Sequence, residues 1–223
     1  MIDITALPAE SKSAGFKNAQ QGSLEFWFEF ASTYSYPAAM RIEALANRQG
    51  VSVVWRPFLL GPIFQRQGWH DSPFNLYPVQ GRYMWRDLER ICADLNISLR
   101  RPSVFPRNSV LAARVACAGA AEPWLPEFVR QVFRANFADD LDIATTDVIS
   151  LCLERAGVSV NDKIGRALAP ANQSLLRSQT ERAVTMGVFG APTFIVGQEL
   201  FWGNDRLEQA LAWCESPSLG RSA

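Results

Sequence analysis

Residues 23–58 run from "SLEFWFEF" through a helix-patterned stretch into "VSVVWRPF", and that order leaves the chain few ways to fold. In the first segment Leu24, Phe26, Phe28 and Phe30 alternate with Glu25, Trp27 and Glu29, the period of a strand. "PAAMRIEALANRQG" then sets Ala39, Ile42, Leu45 and Ala46 at helical spacing; Pro37 suits a first turn and Gly50 a stop. Residues 51–58 are again strand-like. Strand, helix and strand within about 35 residues make a βαβ unit, which forces a parallel pair joined by a right-handed crossover.

From about residue 61 to 187 the pattern turns helical. Residues 83–96 carry a 3.6-residue rhythm through Met84, Leu88, Ile91 and Leu95, and 108–121 and 126–137 behave likewise. Residues 145–157 open on capping threonines and stop at Gly157, and 172–187 run from Asn172 to Gly187. A long segment with Pro, Gly and Trp, residues 60–81, reads as a functional loop or lid. The end returns to β with "APTFIVG" and "QELFWG", followed by a closing helix over 204–213 capped by Asn204. The order βαβ, helical block, ββα is that of an α/β thioredoxin-like fold with a large α-helical insertion. We expect a flexible tail over 1–22, a thioredoxin-like domain from 23–60 and 188–216, and a helical insertion over 61–187.

Composition narrows the function classes. The 22 basic and 22 acidic residues balance to a net charge of +0 and are scattered, so nucleic acid is not an expected partner. No apolar run reaches the roughly 20 residues that cross a bilayer, and the N-terminus lacks a secretory pattern, so a cytoplasmic protein off the membrane is expected. Cys92, Cys117, Cys152 and Cys214 are far apart and have no metal-ligand spacing; each reads as a small buried hydrophobe, and no metal is expected. His70 is the single histidine, which removes His-based triads.

The chemistry concentrates at the junction after the first strand. Many redox proteins place Cys-x-x-Cys there, whereas this chain has Ser32-Thr33-Tyr34-Ser35. Ser32 alone reads as a helix cap, and Ser35, within the first turn, as structural. The second signal is "GAPTF", residues 190–194, whose proline in thioredoxin-like folds is cis and lies against the first helix's N-terminus. Cis is a minority state, about 5–6% of X-Pro bonds, so this is a sharp expectation.

Taken with these signals, "PFLLGPIF" (57–64), "GRYMWRDLER" (81–90), "FPRNS" (105–109), "FGAPTF" (189–194) and "WGNDRLE" (202–208) give a specific resemblance. Over residues 24–214 the chain resembles the DsbA-type branch of the thioredoxin superfamily, and within it the 2-hydroxychromene-2-carboxylate isomerases and kappa-class glutathione transferases. The resemblance implies glutathione as cofactor, with Ser32 hydrogen-bonded to its sulfur. A serine hydroxyl donates to a thiolate without forming a disulfide, and a helix N-terminus favours an anion there. Lowering a thiol by two units from about 8.5 takes roughly 2.7 kcal/mol.

The resemblance further implies that Ala191, at the Pro192 loop, pairs with the cysteinyl backbone, and that Asn204 and Asp205 hold the γ-glutamyl end. Without the resemblance, these last two read as an N-cap and a first-turn acid. Tyr34, Tyr36, Trp69, Asn108 and Trp202 are candidates to line an acceptor site between the two halves; core packing is the competing reading for the aromatics, and a helix cap for Asn108. Thr33 stands where the family has proline, Gly68-Trp69 where many members have Gly-Asn, and Gln80 where many have lysine. Arg66 or Arg82 is then the substitute partner for a glutathione carboxylate.

The implied activity is isomerisation of an aromatic-degradation intermediate through a glutathione thiolate adduct, in a homodimer acting on a small aromatic molecule. A kappa-like transferase and a non-catalytic peptide-binding module are the alternatives. A thiol-disulfide oxidoreductase is excluded by the missing junction cysteines.

Overall fold

In the computed structural model, which describes residues 22–160 and 162–215, four strands form one mixed sheet in the order β2-β1-β3-β4. Residues 1–21 of the expected tail lie outside the described residues. β1 (Ser23–Phe28) and β2 (Ser52–Pro57) pair in parallel across α1 (Ser35–Arg48), with Phe26 opposite Trp55. β3 (Thr193–Val196) runs antiparallel to β1 and pairs with β4 (Glu199–Trp202). This is the thioredoxin-like sheet expected from the element order.

The alternation in β1 sends side chains into two cores. Phe26 and Phe28 face one side, where Phe26 stacks on Phe194 at 5.5 Å and meets Trp55 edge-on at 5.2 Å. Trp27 faces the other and packs with Phe58, Val188 and Ile195. Each of these fully buried aromatics stabilises the fold by about 1.5–3 kcal/mol. β1 is therefore covered on both faces, and its polar residue Glu25 is met by Arg56 at 2.7 Å and Arg182 at 2.9 Å.

Between β2 and β3 lie α2 (Leu60–Arg66), α3 (Pro73–Leu76), α4 (Pro78–Asp94), α5 (Val110–Ala118), α6 (Leu125–Phe137), α7 (Thr146–Arg155), α8 (Lys163–Leu168) and α9 (Pro170–Thr185). A short 3-10 turn (Asn204–Arg206) leads into α10 (Leu207–Cys214). The larger hydrophobic cluster runs unbroken from Phe26 and Phe28 through Ile42 of α1 into Phe133 of α6 and Leu153 of α7. Sheet and helical block thus share one core. Among the described residues, no helix is long and apolar enough to cross a membrane.

Several expected boundaries moved for physical reasons. The segment 60–81 is not an open loop, because three helix starts lie within it. Ser72 accepts the Phe74 N–H at 3.4 Å, and Pro73 and Pro78 occupy first-turn positions where a missing N–H costs nothing. Those prolines read as breakers in the sequence, and they act as initiators. Gly81 lets α3 lie on α4, since a Cβ there would clash with the Phe74 carbonyl oxygen. By the same logic α9 begins at Pro170 rather than Asn172, and α8 carries too short a pattern to have been recognised.

Candidate active site

The chain leaves the sheet after Phe28 and turns through Glu29–Tyr34 into α1, so Ser32 sits at that helix's entrance. Its N–H donates to the Glu29 carbonyl at 2.9 Å. Its hydroxyl accepts the Ser35 N–H at 3.3 Å and donates to the Ala191 carbonyl at 2.8 Å. The Ala191–Pro192 bond is cis, as expected from "GAPTF". Ser32 is therefore both a cap of α1 and the link between its N-terminus and the proline loop, two roles one hydroxyl fills by donating once and accepting once.

Around this link several donors lack acceptors. The Ala191 N–H donates to nothing among the described residues, while the Pro192 carbonyl accepts from the Gly203 N–H at 3.0 Å. The hydroxyls of Thr33 and Ser35 are buried without a partner. The first N–H groups of α1 are taken, that of Ser35 by the Ser32 hydroxyl and that of Tyr36 by the Thr33 carbonyl at 3.3 Å, so the Ala191 N–H is the donor the junction leaves open to an extended backbone.

The other residues singled out from sequence are dispersed. Asn204 is buried beneath the turn, where Arg41 of α1 donates to its carbonyl at 2.6 Å and to its Oδ1 at 3.1 Å. It does not cap the closing helix as expected, because its side chain is already committed to Arg41. Asp205 beside it is exposed and lies 3.2 Å from Arg206.

Tyr34 is half-buried against Phe74 and donates to Asp87 of α4 at 3.0 Å; burial first, and the Asp87 charge second, push its phenol far above the ordinary range. Tyr36 is only 1% exposed, stacked on Phe137 at 5.5 Å, with its hydroxyl donating to the Ser98 carbonyl at 2.7 Å. It has no face open to a ligand.

Trp69 packs on Phe64 at 5.5 Å. Asn108 is exposed and caps α5 by accepting the Val110 N–H at 3.0 Å. Trp202 is exposed beside Phe189 at 4.8 Å and lies over Gly190, where any Cβ would clash with its indole nitrogen. Ser32 and Tyr34 lie on the one turn from β1 into α1, and Trp202 reaches over Gly190 from β4, whereas Tyr36 belongs to the interior.

Sequence reasoning missed Glu29. Alternation placed it on the polar face of a strand running to Phe30, but the strand ends two residues earlier, at Phe28, and the chain turns inward. Its carboxyl is buried, accepting from the Ser109 hydroxyl and from the Ala31 N–H at 3.2 Å. Burial pushes it up to about 7, against the pull of those hydrogen bonds.

The next residue is held from the same side: the Phe30 carbonyl accepts from Asn136 of α6 at 3.0 Å, and Asn136 accepts from Arg107 at 3.1 Å. Arg107 in turn pairs with Asp140, whose carboxyl is held down near 2, chiefly by the Ser103 N–H and then by Arg107. The motif "FPRNS" contains two of these residues, and that was the available signal. The helical block thereby grips the loop that carries Ser32.

The four thiols take no part. Burial pushes Cys92 up to about 11 and Cys117 and Cys152 up to about 12, and Cys214 is raised as well. None sits at the junction, and none forms a disulfide among the described residues.

A cis-proline loop facing the first helix of a four-stranded sheet, with helices inserted between β2 and β3, defines a thioredoxin-type protein of the inserted kind. The family model described as a DSBA-like thioredoxin domain matches residues 23–212, so the chain belongs to that family. Within it, the chain is 28% identical over 187 residues to the 2-hydroxychromene-2-carboxylate isomerase of Sphingobium xenophagum, covering 83% of this chain and 94% of the relative. It is 29% identical over 189 residues to the enzyme of the same name from Pseudomonas putida, covering 82% and 90%. A solved structure of 2-hydroxychromene-2-carboxylate isomerase superposes with a TM-score of 0.78 at 25% identity, over 86% of this chain and 94% of that one.

Proposed function

We propose that the chain is a glutathione-dependent isomerase of the 2-hydroxychromene-2-carboxylate isomerase type. The observation that carries this reading is Ser32, a hydroxyl standing where a redox protein needs a thiol, bonded to the cis-proline loop in a chain whose own thiols, two buried and two half-buried, all lie away from that junction. A nucleophilic sulfur must then arrive with a ligand. The names of the curated relatives, matched across most of both chains, support the same choice.

The residues fit glutathione. The unpartnered Ala191 N–H suits a peptide backbone, and the exposed Asp205 carboxylate suits an ammonium. Asn204, committed to Arg41, serves instead to fix the turn that presents Asp205. Bound glutathione supplies a thiol sulfur able to add to a conjugated ring system and leave again.

The chain's own part is positional and electrostatic. With glutathione bound, Ser32 would donate its hydroxyl to the sulfur in place of the Ala191 carbonyl, and the α1 N-terminus would favour the anionic form there. Glu29 and Asn136 hold the loop so that the geometry is already set. The reading includes residence in the cytoplasm, with which four unpaired cysteines agree, and a homodimer.

The test is a spectrophotometric assay with a hydroxychromene carboxylate, with and without glutathione. We expect turnover that needs glutathione and returns it unchanged. Ser32→Ala should lower kcat/KM about 10- to 100-fold, the worth of one charge-assisted hydrogen bond. Accumulation of a conjugate instead would make the chain a transferase, and absence of any glutathione-dependent reaction would overturn the proposal.

A further inference from the structure

Two hydrogen bonds tie the cis-proline loop to its neighbours. Ser32, at the entrance of α1, donates to the Ala191 carbonyl at 2.8 Å, and the Gly203 N–H, after β4, donates to the Pro192 carbonyl at 3.0 Å. A third set of contacts closes the circuit. Arg41, further along α1, donates to the Asn204 carbonyl at 2.6 Å and to its Oδ1 at 3.1 Å, while its other amino group pairs with Glu208 of α10. α1, the proline loop and the turn at Asn204 thus form one closed ring of bonds, with Ser32 on it at one point and Asp205 beside it at another.

Arg41 acts on a particular bond. The Asn204 carbonyl belongs to the peptide unit whose nitrogen is that of Asp205, and a trans peptide moves as one rigid plane. A donor held on that oxygen therefore sets the direction in which the Asp205 side chain leaves the backbone. The side chain itself supplies no such restraint. It is 69% exposed, and its ion pair among the described residues is with the adjacent Arg206, which moves with the same turn.

The turn is also short and hinged. It is one 3-10 turn, Asn204–Arg206, entered through Gly203 at φ +113°, where a Cβ would lie 2.5 Å from the Asp205 Oδ1. Arg41 can hold it because its guanidinium is largely shielded, with the side chain 15% exposed, and because that group offers its donors as a rigid planar fork. A helix cap would need a single donor. Arg41 meets three acceptors, two of them on the residue that precedes Asp205.

We infer that Arg41 is a positioning residue of the glutathione site, fixing the peptide plane between Asn204 and Asp205 so that the Asp205 carboxylate faces the ammonium of the γ-glutamyl end. This rests on the glutathione reading proposed above. Arg41 touches no ligand atom. It makes the helix that carries Ser32 set the place of the ammonium partner as well, so the two ends of the ligand meet one frame.

The test compares glutathione with glutaryl-cysteinylglycine, the same molecule without its α-amino group, by calorimetric titration into the full chain. We expect the wild type to bind glutathione about 3- to 10-fold more tightly, the worth of one exposed charge pair. Arg41→Met should bring the two affinities within about 2-fold by weakening glutathione alone, and Asp205→Ala should do the same. A merely structural role for Arg41 would weaken both ligands by one factor and keep their ratio. Should Arg41→Met fail to fold, Arg41→Lys keeps a cation for Glu208 without the fork, and the ratio should fall there too.

A wild-type ratio retained in the Arg41 variant would overturn the inference, as would a ratio that survives Asp205→Ala. Equal binding of the two ligands by the wild type would also overturn it while leaving glutathione as the cofactor. Binding of neither would remove the glutathione reading and the inference with it.

Discussion

Replacing Glu29 by glutamine tests the link between the buried carboxyl and the loop that carries Ser32. Burial raises this carboxyl from its ordinary 4.5 to about 7, so between those values the folded state holds a proton that the unfolded chain has released. Folding is then favoured by protonation, fully so below the unfolded value, and the benefit disappears as pH rises through about 7. The whole shift corresponds to roughly 3 kcal/mol, of which about 2 kcal/mol falls between pH 5.5 and 8.

Glutamine keeps an oxygen to accept from Ser109 and Ala31 but has no proton to lose. Urea unfolding at intervals across that range should show the wild type losing about 2 kcal/mol more than Glu29→Gln, a midpoint difference near 1 M at an m-value of about 2 kcal/mol/M. All other titrating groups are common to both proteins and cancel in the comparison. Parallel stability curves for the two would refute the reasoning, because they would mean that the carboxyl titrates alike folded and unfolded.

Tyr36→Phe removes the hydrogen bond to the Ser98 carbonyl and leaves the ring stack intact. It should cost about 1 kcal/mol in chemical unfolding with KM unchanged; a KM effect without a stability loss would put Tyr36 at the substrate after all. Gly81→Ala sets a methyl group against the Phe74 carbonyl, a backbone atom that cannot rotate away. The α3–α4 contact should open at a cost of about 1–3 kcal/mol, read as a lowered thermal midpoint; an unchanged midpoint would show that α3 is not held there.

The sheet and its ends were legible because their signals are local. Alternation in residues 23–30, the helical phase of 37–50 and the apolar run at 191–197 follow from the two- and 3.6-residue periods and locate β1, α1 and β3 to within about two residues, and their order then admits few topologies. Ser32 at the junction and the cis Pro192 were legible for the same reason, as adjacent residues in short motifs. Prolines misled the reading of 60–81, since the same ring ends one helix and begins another, and only the neighbouring turn decides which.

Tertiary structure decided the rest. Whether Tyr36 faces a ligand or Phe137 depends on where α6 comes to lie, about 100 residues away in the chain. The same holds for Asn204, captured by Arg41, and for Glu29, whose carboxyl is buried only because Ser109 arrives from the helical block. Arg66, Arg114 and Arg177, which border one cleft between α2, α5 and α9, lie on three separate helices and form no motif along the chain. Periodicity along the chain reports which face of an element is apolar. Which partner covers that face, and which charges are left without one, is set by non-local packing that one-dimensional spacing does not encode.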